Sequence, residues 1–155
     1  EFLLFLSGQG IYFDAIIILC PVYPIRTFRH VENILKSYLN QGNQRPLVGL
    51  ITPATHPYLC YKRDGKGHVN NVMNIDVNSF YRHQQYPKYY QLTLWACVVP
   101  VDSVKHLNAQ MMCSDSYGYI IPEHVPFVNI DTPLDFEFAE FLMQKIKSGK
   151  IKIDD

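Results

Sequence analysis

The sequence has no uninterrupted apolar run near the roughly 20 residues that a membrane-spanning helix requires, so no membrane partner is expected. It has no excess of either charge: Lys plus Arg and Asp plus Glu number 14 each. That balance removes the global basic footprint of a nucleic-acid binder, and no nucleic-acid partner is expected. The 4 cysteines, Cys20, Cys60, Cys97 and Cys113, contain no CxxC pair, which excludes the common zinc and dithiol redox motifs. The 6 histidines show no HExxH or comparable spacing, and His56, His68 and His124 read as surface or loop residues rather than metal ligands. No glycine-rich phosphate loop is present. Gly8-Gln9-Gly10 and Gly65-Lys66-Gly67 lack both the spacing and the strand–helix setting. No nucleophile–base pair, internal repeat or low-complexity tract stands out.

What is present is enough for a folded domain. The chain has 155 residues, 48% hydrophobic and 18% charged, which suits one domain with a real core and argues against disorder. Cys20 and Cys97 lie in apolar runs and read as buried thiols, so a reduced, cytoplasmic protein is the simplest expectation. The opening EFLLFLSGQG has no basic stretch before its apolar residues, unlike a signal peptide. It reads instead as the last turns of a helix with a glycine stop. The expectation is that the chain begins mid-domain, with an N-terminal part missing.

The best-marked unit is 15–51. Ala15-Ile16-Ile17-Ile18-Leu19-Cys20 is a continuous apolar run, as in a strand covered on both faces. Thr27 suits a helix N-cap, and Val31, Ile34, Leu35, Tyr38 and Leu39 recur on one helical face before Gly42. Leu47-Val48-Gly49-Leu50-Ile51 is another apolar strand. Strand, helix and strand at this length predict a crossover and a parallel sheet with helices on its faces. Asp64-Gly65-Lys66-Gly67 predicts a hairpin turn after Tyr58–Lys62. The stretch 70–91 is polar and tyrosine-rich. Thr93–Val99 reads as a strand, Val101–Leu107 as a short helix, and Tyr117–Ile121 and Val125–Ile130 as short strands. The closing helix starts with Thr132 as N-cap, Pro133 at the first position and Asp135 at the third. Leu134, Phe138, Phe141, Leu142 and Ile146 form its expected buried stripe, and Gly149 ends it.

Three segments offer chemistry. In open parallel sheets, ligands sit beyond the carboxyl ends of the strands. There lies Pro21-Val22-Tyr23-Pro24-Ile25-Arg26, a segment where Arg26 before a helix start gathers an anion, or else a rigid turn with Arg26 simply solvated. Asn129 and Asp131 alternate onto one side of a strand. An acid beside an amide oxygen suits Mg²⁺, or else Asp131 merely belongs to the helix start. In 81-YRHQQYPKYYQ-91, aromatics interleaved with Arg82, His83 and Lys88 suit stacking against a base or sugar, or equally a subunit interface.

Together these segments resemble the acylneuraminate cytidylyltransferase family, which activates sialic-acid-type sugars with CTP. Its first loop, close to LQPTSPLRT, compares with 19-LCPVYPIRT-27. Its middle motif, close to RQDLPxxY, compares with 83-HQQYPKYY-90. Its last, close to DIDTxxDxxxAE, compares with 129-NIDTPLDFEFAE-140 and is the most specific. The likeness runs over nearly the whole chain and corresponds to the C-terminal two-thirds of such a protein. The family's Arg- and Lys-containing glycine-rich loop lies in the part not represented, and activity is expected to need it.

The resemblance implies a three-layer, mostly parallel α/β fold related to GT-A glycosyltransferases, in one domain, with a dimerisation or lid insertion over 54–92. It implies a homodimer, CTP and an acidic nine-carbon sugar as substrates, and Mg²⁺ as cofactor. Asp131 matches a metal-binding acid, with Asn129 beside it, and Arg26 matches the arginine closing the proline loop. Cys20, Pro21, Tyr23, Arg82, His83, Gln84 and Thr93 fall at substrate-binding positions. The departures are Cys20 for a glutamine, Val22-Tyr23 for Thr-Ser, His83 for an arginine, Thr93-Leu94 for Asn-Gly, and Asn129 for the first acid of DID. These support two further expectations: a different sugar, or a non-catalytic relative that keeps the fold for nucleotide binding or assembly.

Overall fold

The computed structural model describes residues 2–74 and 82–153. In chain order the elements are α1 (Phe2–Gly8), β1 (Ala15–Ile18), α2 (Phe28–Asn40), β2 (Leu47–Ile51), β3 (Tyr61–Arg63), β4 (Val69–Asn71), β5 (Gln91–Pro100), β6 (Tyr117–Ile120) and α3 (Pro133–Lys147). Single 3-10 turns occupy Pro57–Leu59 and His83–Gln85, and a longer one Val101–His106. No described helix is long and apolar enough to cross a membrane. The chain divides into two compact units, one of Glu1–Leu50 with Leu92–Asp155 and one of Ile51–Gln91.

The first unit is α/β. Its sheet has the order β1-β5-β2-β6. β1 runs antiparallel to β5, with Ala15 opposite Pro100 and Ile18 opposite Cys97. β2 runs parallel to β6, with Leu47 opposite Tyr117 and Leu50 opposite Ile120. The mostly parallel sheet expected from the strand–helix–strand unit is corrected to a mixed one. β5 enters between β1 and β2, so those two strands are not neighbours. An apolar run marks a buried strand but carries neither its direction nor its partners, which the hydrogen-bond ladder decides. From Trp95 to Pro100 every residue of β5 is buried, as its interior place demands. β1 was expected to be covered on both faces; it lies at the edge of the sheet, its four residues only half-buried.

α2 begins with a reciprocal cap. Thr27 accepts from the His30 N–H through Oγ1, and the His30 ring accepts the Thr27 N–H. Ile34 and Tyr38 reach the core, whereas Leu39, expected on the same face, is exposed. Gly42, at φ +86°, takes the left-handed conformation that turns the chain away, which glycine adopts without a Cβ clash. The predicted short strand over Val125–Ile130 makes no ladder: its link in the backbone is the Ile130 N–H donated to the Val22 carbonyl at 2.9 Å. The buried stripe of α3 is also revised. Leu142 is buried together with Ala139, and Met143 and Ile146 pack beside them against Ile25, Val128 and Ile153. Leu134, Phe138 and Phe141 are exposed instead. Two apolar stripes run along this helix, and periodicity alone does not say which one meets the core.

The second unit contains the predicted hairpin, β3 against β4 with Tyr61 opposite Asn71 and Arg63 opposite Val69. Asp64 Oδ1 accepts the N–H groups of Lys66 and His68, both at 2.9 Å, and Gly67 takes φ +96°. Beside the hairpin in sequence lies an aromatic cluster centred on His56. Its ring lies 4.9, 4.6 and 5.2 Å from those of Tyr58, Tyr86 and Tyr89. His56 Nδ1 accepts from the Tyr58 N–H and Nε2 faces the Pro87 carbonyl at 3.0 Å, so the proton sits on Nε2.

Candidate functional site

The candidate residues fall on both units. Arg82 and Gln84 lie on the second, both exposed, in and beside the turn at His83–Gln85, with the Arg82 N–H donated to Gln85 Oε1. Tyr81 lies outside the described residues, as do 75–80 of the expected 54–92 insertion and the side chain of His83. Cys20, Pro21, Tyr23, Arg26, Thr93, Asn129 and Asp131 all belong to the first unit.

On that unit the proline loop is built by local chemistry. The Tyr23 N–H donates to the Cys20 carbonyl, closing a turn with Pro21 at its second position, where a fixed φ is favourable. The Tyr23 ring packs on Phe127 at 5.1 Å between centroids. Ile25 is buried with Val128, Ala139 and Leu142. With the Ile130–Val22 hydrogen bond, these contacts lay the loop alongside the segment that leads to Asp131.

Arg26 is half-buried and donates from Nη1 to the Trp95 carbonyl. Burial pulls its guanidinium below the ordinary value, with Cys20 nearby acting in the opposite sense. An arginine keeps its proton under all ordinary conditions, so this is a partly desolvated cation. Thr93 is buried, and its hydroxyl accepts the Trp95 N–H at 3.1 Å, so it is packed into β5 rather than open to solvent.

The neighbourhood of Asp131 separates the two readings of that acid. The cap of α3 is made by other groups: Thr132 Oγ1 accepts the Asp135 N–H, and Asp135 Oδ2 accepts the Thr132 N–H at 2.8 Å. Even the Asp131 N–H points to Asp135 Oδ2, at 3.2 Å. Those bonds hold the Asp135 carboxyl below the usual range, the bond from the Thr132 side chain most of all. The Asp131 carboxylate is thus left out of the cap. It is exposed, and its contact is the Asn129 Nδ2 donor at 2.5 Å. That donor fixes the amide orientation, since a carboxylate accepts from NH₂ and not from C=O. Asn129 Oδ1 is then buried with no hydrogen-bond partner among the described residues, an unpartnered hard-oxygen acceptor two positions from a carboxylate. Among the described residues no group of three or more His, Cys, Asp or Glu side chains could enclose a metal. A cation here would draw on Asn129, Asp131 and the oxygens of a ligand.

Trp95 and His30 were not singled out in the sequence, yet they hold the loop. Trp95 Nε1 donates to the Ile25 carbonyl at 3.0 Å, and the His30 ring lies 5.6 Å from the Trp95 ring. His30 Nδ1 accepts from Thr27, so Nε2 carries the proton and donates to the Ile153 carbonyl at 2.8 Å. The only sequence signal was that Trp95 is the single tryptophan, and that it falls inside a predicted strand. No known protein-family model matches the chain, and no curated protein matches it.

Proposed function

We propose that the chain acts in CTP-dependent activation of a sialic-acid-like nonulosonic acid, forming the CMP-sugar and releasing pyrophosphate. The observation that carries this reading is the hydrogen bond from Ile130 to Val22, which joins the Arg26 loop to the Asp131 segment while the Asp131 carboxylate stays exposed and outside the helix cap. The α/β class with helices on a mixed sheet supports a nucleotide-binding domain, and the finer three-layer, GT-A-related arrangement is part of the proposal. In the reaction the anomeric hydroxyl attacks the α-phosphorus of CTP, an O–P bond forms, the hydroxyl proton passes to solvent, and the bond to the β-phosphate bridging oxygen breaks as pyrophosphate leaves.

Each residue then has a task. Arg26 pairs with a phosphate oxygen as a permanent cation. Asn129 and Asp131 would hold a divalent cation, the buried, unpartnered Asn129 Oδ1 supplying a hard-oxygen acceptor two positions from the exposed carboxylate. Mg²⁺, when bound, neutralises charge on the phosphate oxygens. Cys20, Pro21 and Tyr23 line the start of the loop; a role toward the sugar for Arg82, His83 and Gln84 rests on the resemblance alone, and Thr93 is buried in β5 rather than open to a ligand. The partners proposed are CTP, the acidic sugar and a second copy of the chain in a homodimer, in the cytoplasm. The test is pyrophosphate release from CTP by the intact protein with Mg²⁺ and a panel of α-keto acid sugars. Turnover that disappears on chelation and in Asp131→Ala supports the reading; a folded protein with no turnover on any sugar rejects it. Replacing CTP by UTP or GTP tests the nucleotide.

A second reading, a non-catalytic relative, draws on the tie between Arg26 and the Trp95 carbonyl and on the buried hydroxyl of Thr93, both of which serve packing. It expects nucleotide binding without turnover.

A further inference from the structure

Trp95 is 2% exposed and is the chain's only tryptophan. Two of its polar groups are tied to consecutive residues of the proline loop. The indole N–H donates to the Ile25 carbonyl at 3.0 Å, and its own carbonyl accepts from Arg26 Nη1. The pair forms a reciprocal latch: β5 holds the loop through a backbone acceptor on Ile25, and the loop holds β5 through the Arg26 side chain. The His30 ring, 5.6 Å away, backs the indole and is itself fixed by the α2 cap and by Ile153.

What the latch holds is a cation without a counter-ion among the described residues. Arg26 is half-buried, and among the described residues it makes no ion pair and one hydrogen bond, leaving most of its five-donor fork open. A guanidinium withdrawn from water is favourable only when its remaining donors meet acceptors. Phosphate oxygens match that fork in geometry and charge. A loop free to move would let Arg26 swing into solvent; the indole bond to Ile25 opposes this from the residue next door.

We propose that Trp95 is the positioning residue for Arg26, fixing the guanidinium where it meets a phosphate group, and that Trp95 emission reports that encounter. The identity of the anion as a nucleotide phosphate rests on the nucleotidyltransferase reading above; the positioning role does not. An anion on Arg26 changes the charge felt through the Trp95 carbonyl and the latch, so the emission of this sole indole moves.

The experiment titrates the intact protein with inorganic pyrophosphate and separately with CTP, each with Mg²⁺, by calorimetry and by tryptophan emission. It does so for the unmutated chain and Arg26→Met, and by calorimetry alone for Trp95→Phe, which has no tryptophan, well below each melting temperature. Trp95→Phe keeps an aromatic ring and the backbone carbonyl, and removes the indole donor together with the volume of the fused second ring. Pyrophosphate binding that moves the emission, is lost in Arg26→Met, and weakens about five- to tenfold in folded Trp95→Phe is the expected result, the scale of one hydrogen bond. Equal affinity in Trp95→Phe overturns the positioning role and leaves the nucleotide reading standing. Pyrophosphate binding that weakens in Trp95→Phe, without CTP binding, supports the positioning role and rejects the nucleotide. Binding of neither overturns the proposal, and the turnover assay then judges the nucleotide reading on its own. If Trp95→Phe does not fold, the unmutated chain decides: emission unmoved at saturating pyrophosphate overturns the proposal, and a shift absent from Arg26→Met supports it.

Discussion

Cys97 shows what burial does to one residue. Its side chain is fully enclosed with Val48 and Val99, and burial pushes its thiol from 9.0 up to about 11. The folded chain therefore keeps a proton that the unfolded chain releases first. That stabilisation is fully present below pH 9.0 and is lost as the pH rises toward about 11. Tyr38 and Tyr119, both raised by burial, act in the same sense further up the scale. We expect urea midpoints to fall between those two pH values, and the fall to be shallower in Cys97→Ala; identical slopes would remove Cys97 from the account. A thiol-specific reagent should modify exposed Cys60 quickly in the native protein and reach Cys97 only on unfolding. Of the thiols read from the sequence as buried, Cys97 is enclosed whereas Cys20 is half-buried, because Cys20 stands beyond the end of an edge strand.

Elements stand or fall by their ends and their closest approaches. α3 starts on the Thr132–Asp135 cap, and Thr132→Ala should lower stability by about 1 kcal/mol, measurable by urea unfolding. The depressed Asp135 carboxyl adds stability that is present above its unfolded value and fades as pH drops through the folded one. Asp135→Asn should therefore flatten the acid limb of a stability profile. The contact of β2 with β5 is equally specific. A Cβ on Gly49 would meet the Thr93 carbonyl at 3.2 Å and the Ala96 carbonyl at 3.3 Å, backbone atoms that cannot step aside. Gly49→Ala should destabilise by about 1–3 kcal/mol, the usual range for overpacking. Gly118→Ala meets chiefly the Leu50 Cδ1 methyl, which can rotate away, so its urea midpoint should shift less.

At the scale of the whole molecule the chain is two units in one sequence, the second inserted between Leu50 and Leu92. The proposed activity expects a homodimer, and sedimentation equilibrium should give twice the monomer mass; a monomer at assay concentrations would count against that part of the proposal. Leu134, Phe138 and Phe141 on α3 are exposed, as apolar side chains on a protein surface commonly are.

The sequence by itself determined what depends on neighbours a few residues away. Thr27 and Thr132 cap helices because a hydroxyl reaches an N–H three positions on. Asp64 and Gly67 close the hairpin for similar reasons, and the apolar run from Thr93 to Val99 is legible as a strand from its own residues. Local propensity and short hydrogen bonds need no knowledge of the rest of the chain. Only the tertiary structure decided which strands pair and in which direction, which stripe of α3 faces inward, and that 125–130 joins the proline loop through one bond instead of a ladder. The same holds at the candidate site. Arg26 meets the carbonyl of Trp95 69 residues away, the Trp95 indole meets Ile25 at 70, and His30 meets Ile153 at 123. Contacts at such separations are selected by the packing of the whole core, where many apolar pairings compete, and no short pattern encodes the winner.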